Sequence, residues 1–131
     1  MPSIFSRIIA REIPAEILHE DADFVAFLDV RPIREGHSLV ATKAEVPDMF
    51  DLPEPLLAGL LPFAAPVARA IQQVTGATRV GMAVVGLEVP HAHVHLVPID
   101  GLHDLDFRRA QPAAQEQLAA TADRIRAALG S

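Results

Sequence analysis

In Pro90-His91-Ala92-His93-Val94-His95-Leu96-Val97-Pro98 an imidazole recurs at every second position between two prolines. Alternate residues of a β-strand point to opposite faces, so His91, His93 and His95 share one face, about 6–7 Å from one to the next. Ala92, Val94 and Leu96 then point the other way, into a core. The prolines suit the ends of such a segment better than its middle, because each withholds a backbone donor. The stretch predicts a strand, His91–Val97, that displays three imidazoles.

Other elements follow outward from it. Arg79–Val85 reads as a buried strand before it. Upstream, Ile17–Glu20 and Phe24–Leu28 form strands around the acidic turn Asp21-Ala22-Asp23, and a loop from Asp29 to Gly36 leads into a third strand, His37–Thr42. Ser3 caps a short helix with Ile4, Phe5, Ile8 and Ile9 at helical spacing, closed by Pro14. Leu57, Leu60, Leu61, Ala64, Val67, Ala68 and Ile71 make an apolar helical stripe that Pro62 and Pro66 should kink or split. A last helix starts near Pro112, carries Leu118, Ala122, Ile125 and Leu129 on one face, and stops at Gly130. Strands joined by short turns with helices set beside them predict an α+β fold with an antiparallel sheet.

The 131 residues, 50% hydrophobic, fit one domain spanning 1–131, with its core at about 3–100 and a C-terminal helical extension at 111–130. With zero cysteines the chain has no disulfide scaffold and no thiolate chemistry. The net charge is −6, Lys43 is the only lysine, and the arginines are scattered, so neither a nucleic-acid partner nor an anionic membrane partner is expected. The N-terminus lacks the charged start and long apolar run of a signal peptide. The apolar region Leu56 to Ile71 is interrupted by Gly59, Pro62, Pro66 and Arg69 and falls short of a membrane span. A cytoplasmic protein is predicted.

Three chemistries suit the histidine face. It could be a solvated strand, although a solvent face rarely selects imidazole three times running. It could bind a metal, since alternating histidines can chelate, although no carboxylate or thiolate stands at a suggestive spacing. Or it could work by covalent catalysis, an unprotonated imidazole being a good nucleophile near neutral pH that neighbouring imidazoles can orient. No P-loop or dinucleotide fingerprint accompanies Gly81 and Gly86.

His91 through Val97 matches the signature of the histidine triad family, His-x-His-x-His followed by two apolar residues, and the likeness extends over residues 3 to 100. Ile4-Phe5-Ser6-Arg7-Ile8-Ile9 with Glu12-Ile13-Pro14-Ala15 resembles the family's opening helix, and Ala26-Phe27-Leu28-Asp29 its first hairpin. Gly36-His37-Ser38-Leu39-Val40 resembles its Gly-His-Thr-Leu-Val strand, and Glu88-Val89-Pro90 leads into the triad as in bacterial members. The likeness is closest to the Hint-like branch. It implies a five-stranded antiparallel sheet with two main helices, paired into a ten-stranded sheet in a homodimer. It also implies a hydrolase or transferase acting at the α-phosphate of purine nucleotides, with no cofactor and no metal. His93 would be the nucleophile, His95 would bond the phosphate and the departing atom, and His91 and His37 would orient the site. Asp29 would accept the ribose hydroxyls, and Ile4, Phe5, Ile8, Phe27 and Val30 would line the purine pocket. Without the resemblance, Asp29 caps a turn beside Pro32, His37 is a structural histidine, and the five apolar residues are core. His19 and His103 read as surface residues.

The chain departs from the family pattern in three places. Gly86 is followed by Leu87 where many members have a glutamine that contacts the phosphate or nucleophile. That leaves the backbone donors around Glu88 and Val89 to serve the phosphate. Gly81-Met82-Ala83-Val84-Val85 replaces an Asn-rich segment, and Thr42-Lys43-Ala44-Glu45 replaces Pro-Lys-Lys-His. Leu87 predicts a slow enzyme or, as the alternative, a nucleotide-binding regulatory or scaffold protein with little turnover.

Overall fold

The computed structural model describes residues 2–130. Five strands, β1 (Ile17–Glu20), β2 (Phe24–Leu28), β3 (Ser38–Thr42), β4 (Arg79–Ala83) and β5 (His93–Ile99), form one antiparallel sheet in the order β1-β2-β3-β5-β4. Helices α1 (Ile4–Ile9), α2 (Glu54–Thr75) and α3 (Gln115–Ala128) lie beside it. The expected α+β class and sheet are observed.

The sheet has an apolar layer on each side. Ala26, Leu28, Val40, Val94 and Leu96 pack with Phe63, Val67 and Ile71 of α2 and Ile125 of α3. Val25, Phe27, Leu39 and Ala41 pack on the opposite side with Phe5 and Ile8 of α1. The register pairs Ala41 with His93 and Leu39 with His95, so both imidazoles share the α1 side. The predicted alternation is therefore realised, with Ala92, Val94 and Leu96 in the larger core.

Strand limits differ from those expected. β5 begins at His93, because His91 N–H turns back to the Val89 carbonyl and Ala92 N–H goes to Val46. It also continues through Pro98. The bond from Thr42 N–H to the Ala92 carbonyl shows that even-numbered residues of this segment aim their backbone at β3. β3 has ended by Pro98, so the missing N–H costs the ladder nothing. β4 stops at Ala83 and β3 starts at Ser38, each inside the predicted range.

α2 runs unbroken for 22 residues, so the prolines do not split it. Pro62 and Pro66 are exposed, and the carbonyls they leave without an N–H belong to Ala58 and Pro62, also exposed, where water can take them. The buried stripe is Leu60, Phe63, Ala64, Val67, Ala70 and Ile71. Leu57 and Leu61, expected in it, face outward. By length and composition alone, at a mean hydropathy of 1.2, α2 is apolar enough to cross a membrane, as a core helix can also be. In the fold it is the helix that covers the sheet. Gly76, at φ +71, ends it in the left-handed conformation.

Candidate active site

His93 opens β5 beneath α1, with the Phe5 ring edge-on at 4.8 Å. Its Nδ1 lies 2.5 Å from the His91 carbonyl oxygen. A carbonyl only accepts, so Nδ1 carries the proton and Nε2 keeps its lone pair. Burial, the strongest influence, holds this ring below the ordinary imidazole value, so it is neutral near pH 7.

His91 stands behind it, fully buried. Its Nε2 donates to the Thr42 carbonyl at 2.6 Å, which leaves Nδ1 to accept from the Ser3 hydroxyl at 2.5 Å. Ser3 also caps α1, accepting the Ser6 N–H, while its own N–H goes to Glu45. The first turn of α1 is thus fastened to the histidine segment by side chains whose other atoms are already committed.

A second pair sits alongside. His37 Nδ1 accepts the Ile33 N–H at 2.9 Å, so its Nε2 must carry the proton. That N–H donates to His95 Nδ1 at 2.9 Å, and His95 is left with an Nε2–H to offer. Burial pushes both rings down to about 4, with the neighbouring histidines adding to the effect at His95. Asp29 Oδ1 accepts the Arg31 N–H at 2.9 Å, closing a local turn, while Oδ2 lies 3.6 Å from His37 Nε2. Burial raises the Asp29 carboxyl, and the Arg31 N–H and the nearby rings oppose it.

Donor atoms of Asp29, His37 and His95 lie within 4.8 Å of one another, a spacing a metal could use. The tautomers fit it poorly. A metal would need the lone pair of His37 Nε2, yet that nitrogen holds its proton as long as Nδ1 accepts from Ile33. The group is better suited to a hydrogen-bond relay that orients His95.

These side chains open on a cleft of about 480 Å³. Of the sequence-predicted residues, Ile4, Phe5, Asp29, His37, Leu87, Glu88, Val89, His93 and His95 line it. Ile8 and Phe27 lie in the apolar layer beneath, His91 is the strut behind, and Val30 is exposed outside the lining. Leu87 stands at the rim with 88% of its surface free. A smaller cavity of about 200 Å³ backs onto Asp29 and His37 from the α3 side and touches neither His93 nor His95. Sequence reasoning missed Arg31, Phe107 and Ala110 in the cleft, and Ser3 and Glu45 behind it. Phe107 packs edge-on against His95 at 4.7 Å from a single 3-10 turn, Phe107–Arg109, whose residues show no periodicity that could announce it. Ser3 was readable as a helix cap, and only the fold shows its second bond, across 88 positions.

The chain matches the family model described as HIT domain over residues 10–102. It is 35% identical over 96 residues, 72% of this chain and 61% of the relative, to a Saccharomyces cerevisiae protein named adenosine 5'-monophosphoramidase HNT1. Among solved structures it superposes with TM-score 0.86 and 26% identity on a hypothetical histidine triad nucleotide-binding protein from Sulfolobus tokodaii, covering 97% of this chain and 91% of that one. A Zn-bound histidine triad family protein from Mycobacterium smegmatis superposes with TM-score 0.83 and 28% identity, covering 97% and 92%. A histidine strand seated as its spacing predicts, with a match across most of the chain, leaves one conclusion: this chain belongs to the histidine triad (HIT) family.

Proposed function

We propose that the cleft binds a purine nucleotide and that His93 displaces a substituent from its α-phosphorus, making the protein a nucleotidyl hydrolase or transferase. The observation that carries this reading is the bond from His93 Nδ1–H to the His91 carbonyl, which leaves a neutral Nε2 lone pair in a cleft-lining residue. The name of the yeast relative supports a phosphoramidate as substrate.

Nε2 of His93 attacks phosphorus in line, and the P–N bond breaks with its electron pair on the amine, which takes a proton from solvent. The phosphoryl-imidazolium so formed keeps its Nδ1–H on the His91 carbonyl. Water then attacks phosphorus, the N–P bond electrons return to His93, and the water releases the proton that the first step consumed. His95 offers its Nε2–H to the phosphate and the departing nitrogen without giving the proton up, since the ring is already neutral. Asp29 accepts the ribose hydroxyls, Ile4 and Phe5 flank the base, and backbone N–H groups at Glu88 and Val89 serve the phosphate. We further read the protein as a cytoplasmic homodimer.

A metal-dependent hydrolysis is the second reading, favoured by the Asp29, His37 and His95 cluster and by the zinc named for the mycobacterial structure. Turnover of adenosine 5'-phosphoramidate with and without a chelator separates the two. Undiminished turnover is expected, together with its loss by several orders of magnitude in His93→Asn while nucleotide still binds. Turnover lost to the chelator favours the metal. A His93→Asn protein that keeps more than a modest fraction of activity removes the nucleophile assignment.

A further inference from the structure

The connection that departs from the family pattern, Thr42-Lys43-Ala44-Glu45, leaves β3 behind the histidine segment and grips it. The Thr42 carbonyl takes the His91 Nε2–H at 2.6 Å, and the next residue after Glu45, Val46, takes the Ala92 N–H on its carbonyl at 2.7 Å. Glu45 itself reaches the start of α1. Its Oε1 accepts the Ser3 N–H at 2.7 Å and the Ser6 hydroxyl at 2.5 Å. These bonds, the Ser3 N–H foremost, hold the Glu45 carboxyl below its ordinary value, so it is ionised near pH 7 and accepts from both.

The seated end of α1 returns a bond to the histidine segment. The Ser3 hydroxyl accepts the Ser6 N–H at 3.0 Å and donates its own proton to His91 Nδ1 at 2.5 Å. His91 is thereby held at every polar group it has. Its N–H goes to the Val89 carbonyl at 2.8 Å, both ring nitrogens are engaged, and its carbonyl takes the His93 Nδ1–H at 2.5 Å. That carbonyl and the Ala92 N–H belong to one planar peptide unit, so whatever turns the unit also turns the oxygen that fixes the His93 ring. The same turn of α1 lays Phe5 edge-on to His93 at 4.8 Å. Neither Ser3 nor Glu45 lines the cleft, yet the bonds that set the direction of His93 Nε2 run back to both. A misplacement of about 1 Å at a reacting atom costs about a hundredfold in rate.

We propose that Ser3 and Glu45 are positioning residues for the nucleophile: Glu45 seats the cap of α1, and the Ser3 hydroxyl fixes His91, whose carbonyl aims His93. The inference deepens the nucleotidyl-transfer reading and rests on it. The two residues act at different points. Ser3 governs the His91 ring alone, whereas Glu45 governs the whole first turn of α1, with Ile4 and Phe5 on it.

Steady-state kinetics with adenosine 5'-phosphoramidate test this. Ser3→Ala, which keeps the Ser3 N–H on Glu45, should lower kcat by about ten- to a hundredfold and leave KM within about threefold. Ser3→Thr, which keeps the hydroxyl, should restore kcat to within about threefold of the unmodified protein. Glu45→Ala should raise KM as well as lower kcat, and Glu45→Gln, which keeps an acceptor oxygen, should fall between. Ile125→Ala, a truncation in the core on the other side of the sheet, is the control: it should lower Tm at least as far as Ser3→Ala while kcat stays within about twofold below the transition. In nitrogen-edited NMR the downfield His93 Nδ1–H signal should move upfield or exchange away in Ser3→Ala and persist in Ser3→Thr and Ile125→Ala. An unchanged kcat and signal in Ser3→Ala, a loss that Ser3→Thr does not restore, or an equal loss in Ile125→Ala overturns the proposal. If Ser3→Ala does not fold, Glu45→Ala, altered at an exposed side chain, carries the same test. If the unmodified protein turns nothing over, the nucleotidyl-transfer reading fails, and the His93 signal in the variants still decides whether Ser3 and Glu45 hold that ring.

Discussion

Among the described residues no carboxylate holds His93, and a carbonyl two positions back does the work instead. Burial keeps the nucleophile neutral, while the backbone oxygen fixes the tautomer and, lacking a full charge, opposes burial less than a carboxylate in its place would. Asp29, the carboxylate whose charge reaches His93, divides its oxygens: Oδ1 holds the Arg31 N–H, and Oδ2 is left to the cleft. Charged hydrogen bonds of the kind it would make to ribose are worth about 1.5–3 kcal/mol. Asp29→Ala should therefore weaken ribonucleotide binding by roughly ten- to a hundredfold and erase any preference over the 2'-deoxy compound. Asp29→Asn, which still accepts from Arg31, separates loss of the turn from loss of the charge. Titration calorimetry with paired ribo- and deoxynucleotides checks this, and equal affinity of the unmodified protein for both sugars would remove Asp29 from the ribose site.

The loop 29–37 delivers Asp29 and His37 from one short connection, and Gly36 sets how closely it lies on the end of α2. Gly36 has φ +97, and a Cβ there would stand 2.9 Å from Thr75 Cγ2. Gly36→Ala should cost about 1–3 kcal/mol, from the left-handed backbone and the crowding together, and should lower turnover by displacing both residues. Urea unfolding measures the first, and a stability loss under about 0.5 kcal/mol, the size of an ordinary surface change, would show that the loop adapts. Other elements differ in how far they could be read in advance. The alternation at His91–Val97 suffices to place His93 and His95 on one face, because strand period is local. Their partners are not local. His37 meets His95 because β3 and β5 pair, and Ser3 reaches His91 because α1 lies across the sheet. The stripe on α2 was misread at Leu57 and Leu61 because both continue an apolar run, and nothing within the helix says which apolar side faces the sheet. Val30 was carried over by resemblance and turns outward here.

Across the whole molecule, that outward side of α2 and the end of the sheet pose one problem. Among the described residues β4 pairs only with β5, so its far edge presents unmatched N–H and C=O groups, and Met82, Val84 and Val85 are exposed on it and just beyond. α2 packs on the same strand and shows Leu57 and Leu61. An open edge beside an apolar helix face invites a partner strand, whereas the opposite edge, β1, is guarded by His19, Glu20 and the Arg126 bond to the Ile17 carbonyl. A second copy related by a two-fold axis would add its own β4 antiparallel to the first and lay the two α2 helices side by side, extending the sheet from five strands to ten. Each chain carries a net charge of −6, so association must be apolar, and salt should strengthen it rather than dissolve it. Light scattering should give twice the chain mass of 14.1 kDa at micromolar concentration, in low and high salt alike. Leu61→Glu should shift the mass toward that of one chain without unfolding it, since the side chain is already 61% exposed in the single chain. A mass of 14.1 kDa for the unmodified protein would refute the pairing, and a Leu61→Glu protein that stays dimeric would move the interface off α2.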